Sequence, residues 1–175
     1  WVPFTGIHSG FLKGFSSKEV LQDKDKLIES ILEVNKVYAP DGQPVIFDLQ
    51  VEAEILGCEL AWREDTPPMV SSHPLEKDKT IPTHYPSEKD GRLPMILSAM
   101  REAKKLIGDT TALYGLVTGP FTLASHLRGT DIFLDMYDDP KYVEDLLKYC
   151  ADVAESVSEL YVKAGMDVIA VVDRM

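Results

Sequence analysis

The sequence predicts an α/β protein in which parallel strands alternate with helices. Four short apolar runs are separated by segments of helical periodicity, and the order β-α-β-α-β-α-α-β is typical of parallel strands joined by helical crossovers. Two architectures fit: an open doubly wound sheet, and the N-terminal half of a (β/α)8 TIM barrel. A whole barrel needs about 250 residues, whereas this chain has 175 and reaches a strand-like run just before its end. We therefore expect one partial domain over residues 1–175, with four parallel strands and crossover helices and with the second half of the barrel absent.

The four predicted strands are short apolar runs bounded by turn signals. They cover residues 1–7, 44–49, 112–118 and 167–172. Continuous apolar runs of this length are typical of strands that are buried on both faces of a parallel sheet.

The predicted helices carry recognisable start and stop signals. They cover residues 24–37, 51–54, 94–107, 121–127 and 140–163. Asp23 or the residue before it is placed to cap one of these helices, Asp139 is placed to cap another, and Pro94 suits a first helical position. Gly57 is placed to close the short helical turn that begins at residue 51.

The composition excludes several classes of protein. Hydrophobic residues make up 45% and charged residues 27%, as in globular domains. Acidic residues outnumber basic ones by 29 to 18, and the net charge of −11 argues against a surface for nucleic acid or an anionic membrane. Two cysteines cannot form a disulfide framework, and no apolar run reaches the roughly 18–20 residues of a membrane span. The expected location is the cytoplasm.

A long excursion rich in proline interrupts the α/β pattern. Residues 58–91 hold five prolines, with short strands possible near residues 58–62. A connection of this length in a compact domain is usually functional or mobile. His73 and His84 lie within it and are expected at the surface.

Polar residues follow the predicted strands at their carboxyl ends, where ligands bind in α/β folds. His8 follows the first strand, Asp48 ends the second, Thr118 and Gly119 end the third, and Asp173 follows the fourth. These positions would form the floor of an active site, although strand ends also turn polar wherever they meet water.

Asp48 is the most informative single residue because it interrupts an apolar strand, where an unpaired carboxylate is costly to bury. It either caps the helical turn at residues 51–55, or it accepts hydrogen bonds from substrate or stabilises developing positive charge. His126 lies on the short helix after the third strand. It is either a packed, hydrogen-bonded residue or a catalytic one.

The chain contains no complete metal motif. Cys58 and Cys150 are 92 positions apart and have no histidine within two residues. Glu52 and Glu54 are two positions apart and cannot share a helix face, so they are weak evidence for a metal pair. The glycine-rich loops that bind dinucleotides or phosphates are also absent.

A twelve-residue segment around the third strand is the most specific motif. Residues 115–126 read GLVTGPFTLASH. They resemble the signature Gly-Phe-x-Gly-x-Pro-Trp/Phe-Thr-Leu-Ala-Ser-Tyr of the uroporphyrinogen decarboxylase superfamily. Two further segments support the resemblance: Phe-Asp at residues 47–48 with Glu-Ile-Leu-Gly at 54–57, and Ala-Gly-Met-Asp-Val-Ile at 164–169. The resemblance covers nearly the whole chain and implies a β/α barrel.

The superfamily has two main chemistries. Decarboxylases remove acetate carboxyl groups from uroporphyrinogen without a cofactor, and their strand-two aspartate, matched by Asp48, holds the pyrrole N–H groups. Methyltransferases of the other branch pass a methyl group from a corrinoid protein to a thiol. For that branch the resemblance implies a zinc ion that activates the thiol as thiolate. Its ligands, a His-x-Cys pair and a later Cys, would lie in the second half of the barrel and outside this segment.

Two departures from the decarboxylase pattern favour the methyltransferase branch. Residues 3–10, Pro-Phe-Thr-Gly-Ile-His-Ser-Gly, replace the Arg-rich opening Arg-Gln-Ala-Gly-Arg-Tyr, and His126 replaces the signature tyrosine. The octacarboxylate substrate of a decarboxylase needs cationic partners, yet the chain has five arginines and none in the loop after the first strand.

The leading hypothesis is therefore a corrinoid-linked methyltransferase, with a decarboxylase and a catalytically silent binding module of the same fold as alternatives. Asp48 and His126 are the catalytic candidates. The substrate-binding candidates are His8, Thr118, Gly119, Phe121 and Asp173. The implied partners are a corrinoid protein and a small thiol, or a tetrapyrrole in the decarboxylase alternative.

Overall fold

The computed structural model describes residues 1–173 and shows helices alternating with strands. The chain begins with α1 (His8–Phe11), α2 (Ser17–Gln22), α3 (Lys24–Tyr38), β1 (Gly42–Pro44) and α4 (Val51–Ile55). It continues with β2 (Leu60–Ala61), β3 (Met69–Val70), α5 (Leu93–Ile107) and β4 (Ala112–Thr118). The last elements are α6 (Pro120–Arg128), a 3-10 turn (Gly129–Asp131), α7 (Ile132–Asp138), α8 (Pro140–Lys163) and β5 (Val168–Val172).

A three-stranded parallel sheet forms the centre of the fold, in the order β1-β4-β5. β4 is the middle strand, so its residues pair on both edges and are mostly buried. The short strands β2 and β3 form a separate antiparallel pair within the proline-rich excursion. This arrangement brings the carboxyl ends of β1 and β4 to the same edge of the parallel sheet.

The prediction of four parallel strands is wrong for the described residues, which contain three. Residues 1–7 form no strand: Trp1 makes one backbone hydrogen bond, from the N–H of Asp41 at 3.0 Å, and Pro3 has no N–H to donate. The second strand is shifted towards the N-terminus, to Gly42–Pro44. The chain then leaves the sheet because Asp48 Oδ1 accepts the N–H of Gln50 at 2.9 Å and turns it towards α4.

Helix starts with local capping signals were predicted well. Asp23 caps α3 by accepting the N–H groups of Asp25 and Lys26, and Asp139 caps α8 by accepting the N–H of Tyr142. The helices α1, α2 and α7 were missed. α2 begins with a capping box between Ser16 and Glu19, a signal that the sequence carries.

Helix α8 contributes side chains to two apolar clusters of the core. The first surrounds the sheet and the inner faces of α3 and α5, and it includes Val157 and Tyr161 of α8. The second joins α6 and α7 to the excursion, and it includes Leu146 and Cys150 of α8. The apolar stripe of the longest helix therefore holds the two sides of the molecule together.

The excursion is anchored by a buried arginine. Arg128 at the end of α6 donates to the carbonyl oxygens of Leu75 and Glu76, both at 2.7 Å. Its Nε binds Asp135 at 2.6 Å, and Lys79 of the excursion binds the same carboxylate at 2.6 Å. These contacts fix part of the excursion against α6 and α7.

Gly115 allows the buried ring of Tyr161 to lie directly against β4. A Cβ at residue 115 would lie 2.8 Å from Tyr161 Cδ2 and 3.1 Å from Ile169 Cδ1. We expect Gly115→Ala to lower the free energy of unfolding by about 1–3 kcal/mol, because the fully buried ring has no free space to move into. Denaturant unfolding of the full-length protein checks this, and an unchanged midpoint would contradict the packing described.

Candidate active site

Five polar residues meet at the carboxyl ends of the strands and form a buried group, here called the carboxyl-end cluster. Its members are Asp48 after β1, Glu52 and Glu54 on α4, Arg92 just before α5, and Thr118 at the end of β4. The Asp48 side chain is 0% exposed and that of Arg92 is 12% exposed. Buried charges of this kind are stable only when they are paired.

Arg92 provides the positive charge of the cluster. Its Nη1 lies 2.7 Å from Asp48 Oδ2, and its Nε donates to Glu54 Oε2 at 2.7 Å. Nη1 also donates to the carbonyl oxygen of Leu21 at 3.1 Å, and the guanidinium lies 5.0 Å from the ring centroid of Trp62. Burial lowers the pKa of Arg92, but the charges of Asp48 and Glu54 outweigh it and the net shift is upward. One guanidinium group is thus paired with two carboxylates.

Glu52 binds the last residue of β4. Its Oε1 accepts the backbone N–H of Thr118 at 3.0 Å, and its Oε2 lies 2.7 Å from Thr118 Oγ1. The same hydroxyl lies 2.9 Å from the carbonyl oxygen of Leu49. Burial raises the pKa of Glu52, and the charge of Asp48 acts in the same direction. Thr118, a substrate-binding candidate, therefore joins α4 to the end of the sheet.

His126 lies on α6, where its pKa is affected by the charge of Asp48, and it has an unused ring nitrogen. Its Nδ1 is buried and has no hydrogen-bond partner among the described residues. Burial lowers the pKa of His126 and the neighbouring His73 lowers it further, while Asp48 partly opposes this. The ring is therefore neutral at pH 7. His73 was expected at the surface, but it is half-buried and its Nδ1 lies 2.7 Å from the carbonyl oxygen of His126.

Asp173 caps the N-terminus of α6. Its Oδ1 accepts the N–H of Thr122 at 2.7 Å, and its Oδ2 accepts the N–H of Phe121 at 3.2 Å. A Cβ at Gly119 would lie 2.5 Å from Asp173 Cγ, so a glycine is required there for the carboxylate to approach. The substrate-binding candidates Gly119, Phe121 and Asp173 are thus brought together, and their role towards substrate stays a prediction.

His8 lies on α1 and is exposed. Its Nε2 is 2.9 Å from the hydroxyl of Tyr38 at the end of α3. The contacts of the described residues do not join His8 to the carboxyl-end cluster. A cavity of about 240 Å³ lies beside the loop that carries Asp48. It is lined by Phe4, Thr5, Gly6, Ile7, Phe47, Leu49, Gln50 and Pro67.

Sequence reasoning missed Arg92 and undervalued Glu52. Nothing local marks Arg92, because its partners Asp48 and Glu54 are distant in the chain; the Glu54 partner is 38 positions away. Glu52 did carry a signal: it shares a buried stripe with Leu49, Ala53 and Leu56 at helical spacing. A carboxyl group on an apolar stripe predicts a buried and hydrogen-bonded side chain.

The described residues do not fit a zinc site. Residues 1–173 contain no group of three or more His, Cys, Asp or Glu side chains that could hold a metal ion. Burial raises the pKa of Cys58 and of Cys150 to about 12, so neither thiol ionises readily to the thiolate that zinc needs. Within the same residues no helix is long and apolar enough to cross a membrane.

The ion pair between Arg92 and Asp48 is open to a direct test. Arg92→Met leaves Asp48 as an unpaired buried charge and is expected to cost about 3–5 kcal/mol of stability. Adding Asp48→Asn removes that charge, so the double variant is expected to be more stable than the sum of the two single costs implies. Urea unfolding of the four full-length proteins measures the coupling.

The matched control for this cycle is Arg101→Met, because Arg101 is an exposed arginine on α5. Its effect is expected to stay within about 0.5 kcal/mol. Additive costs for Arg92→Met and Asp48→Asn would show that the two groups do not interact.

Comparison with known proteins places the chain in a family. The uroporphyrinogen decarboxylase (URO-D) family model matches residues 11–175. A methylcobamide:CoM methyltransferase MtbA of Methanosarcina acetivorans is 31% identical over 132 residues, which make up 74% of this chain and 39% of that protein. A uroporphyrinogen decarboxylase of Nostoc punctiforme is 27% identical over 156 residues, or 85% of this chain and 44% of that protein. The chain thus spans less than half the length of these relatives.

A solved structure shares the fold. A methyltransferase from Methanosarcina mazei superimposes with a TM-score of 0.88 at 23% sequence identity, over 97% of this chain and 52% of that one. The family match covers nearly the whole chain, and the residues that it matches include the carboxyl-end cluster. The chain belongs to the uroporphyrinogen decarboxylase family.

Proposed function

We propose that the full-length protein transfers a methyl group from a corrinoid, carried by a partner protein, to a small thiol. In this reaction a bond forms between sulfur and the methyl carbon while the bond between carbon and cobalt breaks, its electron pair staying on cobalt. The thiol loses its proton, because the thiolate is the nucleophile. Residues 1–175 would form half of the barrel that holds these reactants.

The observation that carries the proposal is that the positive charge of Arg92 is balanced by the protein's own carboxylates. Arg92 faces Asp48 and Glu54 at 2.7 Å each, so the cluster has no surplus of positive charge. Of the other described arginines, Arg128 is bound to Asp135, and Arg63 and Arg101 are exposed. An octacarboxylate substrate would be repelled by such a floor. A thiol and a corrinoid do not carry many carboxylates and so do not need a comparable number of cationic partners.

His126 is suited to take the proton of the thiol. It is a neutral imidazole, half-buried, with a ring nitrogen that no described residue occupies. A base held neutral at pH 7 can accept a proton from a thiol, and the nearby Asp48 carboxylate stabilises the imidazolium that forms. Asp48 thus acts through its charge, and the ion pair with Arg92 orients it.

Zinc, which the family resemblance implies, would be held by residues other than those described. Residues 1–173 supply no donor set for it, so no step is assigned to a metal here. The relatives are more than twice as long as the part that this chain covers. On this proposal, elemental analysis of the full-length protein finds about one zinc per chain.

A uroporphyrinogen decarboxylase is the second candidate, and the Nostoc relative supports it. In that reaction Asp48 would stabilise the protonated pyrrole. This role needs a carboxylate that faces the substrate, whereas the buried Asp48 carboxylate is ion-paired with Arg92 through Oδ2 and accepts the N–H of Gln50 through Oδ1. The binding module without activity has no specific observation in its favour.

Parallel turnover assays distinguish the candidates. The full-length protein is incubated with methylcobalamin and coenzyme M, and separately with uroporphyrinogen alone. We expect demethylation of the cobalamin with formation of the methyl thioether, and an Asp48→Asn variant that is slower by about 100-fold. Release of carbon dioxide from uroporphyrinogen would overturn the proposal, and no turnover in either assay would favour the binding module.

The role of His126 predicts a pH dependence. Its pKa lies below 6.5, so the ring is neutral and active at pH 7, and the rate falls as the pH drops through that pKa and the ring is protonated. His126→Gln is expected to lose about 100-fold in rate and to lose this acid limb.

The control for His126 is His84→Gln, which changes an exposed histidine of the excursion. It is expected to keep both the rate and the acid limb. An acid limb that persists in His126→Gln would exclude His126 as the base.

A further inference from the structure

Thr118 places a single hydroxyl proton between two oxygen atoms. Its Oγ1 lies 2.9 Å from the carbonyl oxygen of Leu49 and 2.7 Å from Glu52 Oε2. A hydroxyl donates one hydrogen bond, and a carbonyl oxygen can only accept. If Glu52 were ionised, one of the two contacts would bring two acceptor oxygens together without a proton between them. A proton on Glu52 Oε2 removes this conflict.

A neutral Glu52 satisfies every oxygen at this site. Its Oε1 accepts the backbone N–H of Thr118 at 3.0 Å, and a protonated Oε2 donates to Thr118 Oγ1. The hydroxyl of Thr118 is then free to donate to the carbonyl oxygen of Leu49. The arrangement uses one donor for one acceptor at each contact.

The surroundings of Glu52 also disfavour a negative charge. The residue is 1% exposed, and among the described residues no cation forms an ion pair with it. Arg92 instead binds the two other carboxylates of the cluster, Asp48 and Glu54. The charged and titratable groups that face Glu52 are Asp48 and, from α8, the buried phenol of Tyr161. An ionised Glu52 would add a second uncompensated charge to a buried site.

We propose that Glu52 is a positioning residue that is held in its neutral, protonated form at neutral pH. It donates a hydrogen bond to Thr118, which in turn holds the carbonyl of Leu49, the residue next to Asp48. The proton of Glu52 thereby fixes the loop that presents Asp48 to Arg92. This role does not depend on which reaction the site carries out.

The stability of the protein is expected to depend on this proton. Burial raises the pKa of Glu52 above its usual 4.5, so the folded state holds a proton that the unfolded chain releases near that value. The contribution of Glu52 to stability is complete below pH 4.5 and is lost as the pH rises towards the folded pKa. Glutamine has the shape of the neutral acid and carries no such penalty.

The test compares Glu52→Gln with the wild type in the full-length protein by thermal unfolding from about pH 5 to pH 8. The amide oxygen accepts the N–H of Thr118 and the amide nitrogen donates to its hydroxyl, so the contacts survive. We expect the variant to have the higher melting temperature, with a difference that grows as the pH rises. A variant that melts lower at pH 8, with a difference that shrinks towards pH 5, would overturn the proposal.

Glu54→Gln is the matched control, since Glu54 lies on the same helix and is paired with Arg92 at 2.7 Å. Loss of that ion pair is expected to lower the melting temperature at pH 8, which is the opposite sign. Infrared difference spectra between wild type and Glu52→Gln give a second readout. They are expected to show the carbonyl stretch of a protonated carboxylic acid at pH 7, and a carboxylate signal alone would also overturn the proposal.

The positioning role has its own readout, the coupling between Arg92→Met and Asp48→Asn. It is expected to be retained in the background of Glu52→Gln and to be smaller in that of Glu52→Ala. Equal coupling in both backgrounds would mean that Glu52 does not position Asp48.

Discussion

The ion pairs of Arg92 are the interaction on which the rest of the site depends. The guanidinium meets Asp48 after β1, Glu54 on α4 and the carbonyl of Leu21 at the end of α2. Four segments of the chain are therefore joined through one side chain at the carboxyl ends of the strands. Without this cation two carboxylates would be left in a poorly solvated position without compensation, and the loop between β1 and α4 would lose its anchor.

The charge balance of the cluster follows from that constraint. One arginine can neutralise one carboxylate, and a second carboxylate leaves a net negative charge, so a third can be accommodated only as the neutral acid. Glu52 fills that position, with Thr118 as its partner instead of a cation. A floor with this charge is suited to stabilising a developing positive charge, which is the role that we propose for it towards His126, and it is poorly suited to a polyanion.

The parts of the structure that sequence could predict are those with local causes. Asp23 and Asp139 cap their helices through N–H groups two or three residues away, and β4 is a buried run whose boundaries were predicted correctly. The first predicted strand does not form, because strand pairing depends on partners that are distant in the chain. Residues 1–7 make one backbone hydrogen bond to Asp41 and do not pair with a strand of the sheet. An apolar run alone does not reveal whether a neighbour is in register.

The residues of the candidate site also fall into two groups, those that could be predicted from the sequence and those that could not. Asp48 and Thr118 could be found because the ends of parallel strands mark the ligand side of the fold. Arg92 and His73 could not, because the Arg92 contact with Glu54 spans 38 positions and the His73 contact with His126 spans 53, and tertiary packing alone brings such residues together. The family match nevertheless covers nearly all of these residues, and the relatives of the chain include a methyltransferase and a decarboxylase.

The most direct test of this account is therefore a comparison of binding at low and moderate salt. The full-length protein is titrated with uroporphyrin, a stable octacarboxylate, and with methylcobalamin, which has no comparable negative charge. Because the positive charge of the carboxyl-end cluster is neutralised internally, we predict binding of methylcobalamin with little dependence on salt and no binding of uroporphyrin. Tight, salt-sensitive binding of uroporphyrin would contradict the charge balance of the cluster and would favour a uroporphyrinogen decarboxylase.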